Sequence, residues 1–332
     1  ISYLLSRYLS DSGSILYVAD QPNHRSLHTK STPRNGGIAI WLSFFCGYTV
    51  IRSLDDLSLK GETNLWIGLV LVMMISFLDD KHPLPPWVRF LIQTGATVFL
   101  LFGGFALAKI DFPTLGTVTL GWFGPIFSFV FTMWLINLYN FMDGMNGFAG
   151  GMGLFGFGFF ALLGWLGDNP SFFTISLFLS VANIGFLTQN FPTPDANIFM
   201  GDVGSIPMGF MVAALTLWGI NAELFSIWSA VLIFSPFIVD ATLTLVRRGI
   251  LGKKVWVAHH SHCYQRLVQY GWSHQKTVIY EYFLMVIFGG IAVWLQFNDS
   301  ETMLAIVLIA CSFFYLFLAV LVYHKTTNIA WD

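Results

Sequence analysis

The sequence predicts an all-α polytopic membrane protein, and three observations carry that prediction. Hydrophobic residues fill 55% of the 332 positions and charged residues only 10%, against about 25% charged in ordinary soluble domains. The apolar residues gather into ten runs near the length of about 20 residues that a spanning helix requires. The remaining charge is sorted: when loops are assigned alternately to two sides, thirteen of the sixteen Lys and Arg fall in one set and only Arg52, Lys60 and Lys109 in the other. That asymmetry marks the basic set as cytoplasmic.

In chain order the runs cover 36–53, 64–78, 88–108, 122–139, 148–166, 171–188, 205–219, 224–246, 278–296 and 303–323. Those at 64–78 and 205–219 are short for a span and are expected to extend into their flanking loops. The chain opens on Ile1 with a short apolar stub, ISYLL, so a further helix upstream is expected, giving about eleven spans in the full-length protein. No fixed-period repeat or linker interrupts the chain, so residues 1–332 are expected to form one integral membrane domain. Its catalytic loops are expected at about 6–35, 79–87, 140–147, 189–204 and 247–277. Cys46, Cys263 and Cys311 form no CxxC pair, which argues against a disulfide framework or thiolate metal site.

The unusual residues collect on the basic side. Asp79 and Asp80 end an apolar run, ISFLDDKHPLPP. Negative charge at a helix C-terminus opposes the macrodipole, which favours cations there; the plain alternative is a solvated helix end. In INLYNFMDGMNG, Asn137, Asn140 and Asp143 recur at intervals of three and share a helical face before Gly144 and Gly147. Such a face grips either a polar ligand or a neighbouring helix. In NIFMGDVGS, Asp202 sits between two glycines before another span. A lone carboxylate beside free helix N–H groups suits a Mg²⁺-phosphate complex, since Mg²⁺ takes one or two carboxylates plus phosphate oxygens; a helix cap is the alternative.

The loop KKVWVAHHSHCYQRL carries His259, His260, His262 and Arg266. Anion binding is the preferred reading over zinc, because nothing in the spacing insists on a zinc ligand set. Near the start, NHRSLHTKSTPRNGG holds Arg25, His28 and Arg34, which alone read as a positive-inside anchor. Asp240 lies inside a predicted span, where a carboxylate is costly; structural pairing and substrate contact are both open. Acidic helix ends and a cationic loop on one membrane face suit a reaction between an anionic substrate held through metal and an anion whose tail stays in lipid. A secondary transporter and an intramembrane aspartyl protease, the latter with Asp143 and Asp202 as a pair, are the alternatives.

These motifs, in this order from about residue 22 to 271, resemble the polyprenyl-phosphate N-acetylhexosamine-1-phosphate transferases of bacterial glycosyltransferase family 4. PNHRSLHTKSTPRNGG resembles the family's N-terminal signature, FLDDKHPLPPWVRF its aspartate pair, NLYNFMDGMNG its Asn/Asp motif, NIFMGDVGS its metal motif and HHSHCYQRL its histidine motif. The last is most similar to the O-antigen initiating branch, whose sugars include N-acetylated 6-deoxyhexosamines.

The resemblance implies a UDP-N-acetylhexosamine donor, undecaprenyl phosphate as acceptor, release of UMP, and Mg²⁺ as cofactor with Mn²⁺ able to replace it. It implies Asp202 as metal ligand, Asp79 and Asp80 as the catalytic pair, and His259 and His262 acting on the diphosphate. Phe199 is implied to stack on uracil, Asn140 and Asp143 to line the nucleoside pocket, and Arg25, His28, Arg34, His260 and Arg266 to contact substrate. Asn146 departs from the family's DGxDG pattern, Asn35 stands where Gly is frequent, and His260 where a basic residue is frequent. Partners are therefore lipid bilayer and phosphorylated substrates rather than nucleic acid, at a bacterial inner membrane with the site facing the cytoplasm. The oligomeric state is not readable, a homodimer being one arrangement.

Overall fold

The computed structural model describes residues 1–21, 31–54, 57, 59–191, 195–255, 259–298 and 300–328, so the expected contacts of Arg25 and His28 lie outside the described residues. Each of the ten apolar runs is helical over most of its length. After a short α1 (Ser2–Leu9) come α2 (Gly36–Leu54), α3 (Glu62–Lys81), α4 (Pro86–Leu100) with a π turn at Leu101–Phe105, and α5 (Phe123–Phe141). Next are α6 (Phe148–Leu166), α7 (Pro170–Asn190), α8 (Asp202–Asn221), α9 (Ile227–Ile233) and α10 (Ser235–Ile250). The chain ends with α11 (Cys263–Gln269), α12 (His274–Gln296) and α13 (Glu301–Lys325). The two short runs do extend, to 62–81 and 202–221.

By length and apolar composition, eight helices among the described residues can cross a membrane, and α9 with α10 makes a ninth as a pair bent by 82°. The run 224–246 is broken between α9 and α10 because Pro236 has no N–H to give the Leu232 carbonyl one turn back. The Ser235 hydroxyl donates to that carbonyl instead, at 2.6 Å. The run 122–139 becomes α5, a helix of 19 residues that carries Asn137 and Asn140 near its end.

Helix α8 is the axis of the bundle, buried along nearly its whole length and packed by α2, α3 and α5. It also contains a proline, Pro207, whose missing N–H orphans the Val203 carbonyl. The Trp41 indole on α2 donates to that oxygen at 3.0 Å, so a defect in one helix becomes a tie between two. At the same crossing Gly37 faces Gly204 so closely that a Cβ on Gly37 would overlap the Gly204 backbone.

The outermost helix, α13, shows the opposite pattern. Ile306, Ile309, Phe313, Phe317 and Val320 are each more than half exposed and recur at helical spacing along one face, a stripe that lipid covers. Among the described residues the only sheets are two ribbons. Strands β1 (Ala19–Asp20) and β2 (Thr32–Pro33) pair before α2. Strands β3 (Lys109–Phe112) and β4 (Gly116–Thr119) form a hairpin at the other end of the bundle, where Lys109 bonds Glu223 at 2.9 Å.

Gly37→Ala is expected to push α2 off α8 and lower stability by about 1–3 kcal/mol, the usual cost of overpacking. Gly290→Ala, whose Cβ would meet nothing within 4 Å, is expected to have no such cost. Thermal unfolding in detergent checks both, and equal midpoints would contradict this packing.

Candidate active site

The site is assembled from helix ends. Helix α3 ends at Lys81, just past Asp79-Asp80, because Pro83, Pro85 and Pro86 follow. Both Asp80 oxygens turn to the first amides of α8, accepting from Asp202 N at 3.2 Å and Val203 N at 2.9 Å. Asp80 is only 3% exposed. Its charge, unfavourable for its own helix, thus lies on the positive end of another.

Gly201, just before α8, has φ of 73°, and a Cβ there would overlap the Arg34 carbonyl and lie 3.0 Å from Asp80 Oδ2. Only glycine lets the chain enter α8 this close to the aspartate. The same loop also caps α2, since Gly36 N donates to Phe199 O at 2.9 Å and Gly37 N to Met200 O at 2.8 Å.

Around Asp80 the other polar groups close in. Arg34 donates from Nη2 to the Asp80 carbonyl at 2.6 Å, and its Nη1 lies 3.7 Å from Asp20. Asn140, in the last turn of α5, donates from Nδ2 to Asp202 Oδ1 and to Ser205 Oγ, both at 2.9 Å. Asp79 accepts from Leu84 N at 2.6 Å and from Arg89 Nη1 at 2.7 Å, and the same Arg89 nitrogen is 3.5 Å from Asp202 Oδ2. The Asn190 side chain at the end of α7 ties two site loops together, accepting from Gly147 N and donating to Ile198 O, each at 2.8 Å.

These groups bound a polar cavity of about 280 Å³. Of the sequence candidates, Arg34, Asp80, Asn140, Asp143, Phe199 and Asp202 line it, with Asp79 next to them through Arg89. Asp143 titrates well above the usual carboxylate range, first because it is desolvated in the cavity wall and then because Asp202 and Asp80 add negative charge. Sequence reasoning missed Asp20, Asn190, Gln265 and His274, which also line the cavity. Gln265 lies within the histidine motif itself, and the other three have no local signature.

The histidine motif reaches the cavity through Gln265. None of His259, His260, His262 and Arg266 lines the cavity. Arg266 is 1% exposed and reaches the end of α13, where Nε donates to Thr326 Oγ1 at 2.9 Å and Nη2 to Thr326 O at 2.6 Å. Asp240, left open by the sequence, is a structural cap. It accepts from Cys263 N at 2.8 Å, Tyr264 N at 3.1 Å and Thr244 Oγ1 at 3.0 Å, with His262 Nδ1 at 3.5 Å. The cap holds α11 so that Tyr264 reaches the Phe141 carbonyl at 3.4 Å and Gln265 enters the cavity wall. The His260 carbonyl accepts from Gln269 Nε2 at 2.8 Å.

Desolvation, followed by the neighbouring His262 and Arg248, pushes the His259 pKa down to about 3, so its imidazole is neutral at pH 7 and offers no cationic charge to an anion. An unfolded histidine titrates near about 6.5. The stability His259 contributes is therefore complete above about pH 6.5 and is lost as pH falls toward about 3. His259→Gln is expected to lose less thermal stability between pH 7 and pH 5 than the parent protein; equal losses would contradict the assignment.

Comparison with known proteins bears on this geometry. The glycosyl transferase family 4 model matches residues 63–220, which include Asp79, Asp80, Asn140, Asp143, Phe199 and Asp202. A protein of Bacillus subtilis named "Probable undecaprenyl-phosphate N-acetylglucosaminyl 1-phosphate transferase" is 30% identical over 285 residues, covering 84% of this chain and 77% of that protein. The decaprenyl-phosphate N-acetylglucosaminephosphotransferase of Mycobacterium tuberculosis is 28% identical over 335 residues, covering 91% and 82%. The undecaprenyl-phosphate alpha-N-acetylglucosaminyl 1-phosphate transferase of Salmonella typhi is 24% identical over 297 residues, covering 85% and 77%. Likeness that runs through the acidic helix ends and over most of both chains has one conclusion: this protein belongs to glycosyl transferase family 4.

Proposed function

We propose that the protein transfers an N-acetylhexosamine-1-phosphate from a UDP-sugar to undecaprenyl phosphate. The products are UMP and a lipid-diphosphate-sugar that initiates O-antigen or a related surface glycan. The observation that carries this reading is the convergence of Asp80, Asp143 and Asp202, with Arg34, on one cavity at the ends of apolar helices. Such a place lets a water-soluble diphosphate meet a phosphate whose tail stays in lipid. The basic loop asymmetry supports a cytoplasmic orientation of this face at the bacterial inner membrane.

The residues suit a divalent ion. Asp202 and Asp79 present hard carboxylate oxygens, and among the described residues no group of three or more His, Cys, Asp or Glu forms a ready-made cage. That donor set fits Mg²⁺ or Mn²⁺, with phosphate oxygens completing the coordination. Asp202 would hold the ion with Asp79 beside it, and the ion would supply charge neutralisation at the diphosphate. Asp80 has both oxygens committed to α8, so its part is to hold Asp202 in place.

In the reaction an oxygen of the lipid phosphate bonds to the sugar-bearing phosphorus, and the bond from that phosphorus to the UMP oxygen breaks, the electron pair leaving with UMP. A phosphate monoester has a second pKa of about 6, so the nucleophile is already deprotonated near neutral pH and needs no side-chain base. Asp79, fixed by Leu84 N and Arg89, orients the reactants, while a two-step route through a carboxylate-phosphoryl intermediate is the alternative. Phe199 offers an aromatic face to the base, and Asn140 and Asp143 offer polar atoms to the nucleoside. A transporter is disfavoured because the acids sit at helix ends rather than near the midplane. A proteolytic Asp143–Asp202 pair is disfavoured because Asn140 and Arg89 already engage Asp202.

Purified protein in detergent is expected to release UMP from a UDP-N-acetylhexosamine only when Mg²⁺ and undecaprenyl phosphate are both present, with a panel of donor sugars naming the substrate. No release with any donor, or release independent of the lipid, would contradict the proposal. Asp202→Asn is expected to lower kcat by about 100-fold or more, the scale of losing a main electrostatic group. An unchanged rate would remove Asp202 from the reaction.

A further inference from the structure

The two arginines beside the acidic cluster are held in different ways. Arg34 is anchored to the Asp80 backbone carbonyl and, more loosely, to the carboxylates of Asp80 at 3.6 Å and Asp20 at 3.7 Å; were it to leave, that carbonyl would lose a partner. Arg89, in the first turn of α4, is bound among the described residues only to carboxylate oxygens, Asp79 Oδ2 at 2.7 Å and Asp202 Oδ2 at 3.5 Å, through one nitrogen, Nη1. Its side chain is 33% exposed, so it has solvent to move into. Each aspartate keeps its other oxygen on a different donor, Leu84 N for Asp79 and Asn140 Nδ2 for Asp202. Two carboxylates from two helices thus turn their remaining oxygens toward a single positive nitrogen, the arrangement a small cation would otherwise impose. A guanidinium stays charged at any working pH, so this neutralisation is permanent until something displaces it.

We propose that Arg89 is a built-in stand-in cation. It occupies the free oxygens of Asp79 and Asp202 while no divalent ion is bound, and an arriving ion must displace it. The proposal rests on the reading of Asp202 as the ion's ligand. The stand-in keeps a buried and a partly buried carboxylate from facing each other unpaired, a costly state, and it lowers the affinity of the empty protein for the ion.

The test is Mn²⁺ binding to the full chain in detergent without substrates, followed by electron paramagnetic resonance, for the parent protein, Arg89→Gln, Arg89→Met and Asp202→Asn. Size-exclusion elution at the parent position identifies folded variants, and either Arg89 variant suffices. Both are expected to bind Mn²⁺ about tenfold more tightly than the parent, the scale of one lost hydrogen bond between charged groups, and Asp202→Asn to lose the site. If Asp202→Asn loses the site while the Arg89 variants bind no more tightly than the parent, the stand-in is overturned and the ion site stands. If Asp202→Asn binds like the parent, the ion site itself falls and the stand-in with it.

Discussion

The interaction on which the site depends is the bond between Asp80, at the C-terminal end of α3, and the first two amides of α8. A carboxylate in that position works against its own helix, yet each backbone hydrogen bond it accepts contributes about 1 kcal/mol. The central helix begins where a neighbouring helix ends, and Asp202, its first residue, is fixed beside Asp79 as a consequence. Gly201 permits the approach, and the Phe199–Met200 carbonyls use the same loop to start α2. The N-termini of α2 and α8 are therefore both satisfied at one short segment.

Elsewhere the fold repeats a second device, in which a proline opens a helix and a side chain closes it. Trp41 supplies the hydrogen bond that Pro207 cannot give, and Ser235 does the same after Pro236. The first ties α2 to α8 under the site. The second lets α9 and α10 bend by 82°, which carries Asp240 to the N-terminus of α11. From there the order of the α11 segment reaches the cavity through Tyr264 and Gln265. The acidic helix ends face the same cavity.

Much of this was legible because it was local. Apolar runs report helices through length alone, and Asp79-Asp80, Asn140 with Asp143, and Asp202 stood out as charge or amide where apolar periodicity stopped. The unusual sign of the α3 terminus was readable, but its reason was not, since the amides it serves lie more than a hundred residues away. Asp20 and Asn190 escaped notice for the same cause: each is an ordinary polar residue until a distant loop comes beside it. Arg266 reads as an anion ligand because its loop is basic, and its bonds to Thr326, sixty residues along the chain, leave no trace in that loop. The break within the run 224–246 falls at Ser235-Pro236, a helix-breaking signal across which the apolar run continues.

Hydrogen exchange of the Asp202 and Val203 amides tests the central interaction most directly. In the intact protein these amides are expected to be protected, and Asp80→Ala should speed exchange in the segment 199–206 by at least tenfold while the interior of α8 stays protected. Unchanged protection of that segment in Asp80→Ala would contradict the account, because the start of α8 would then be held by something other than the α3 carboxylate.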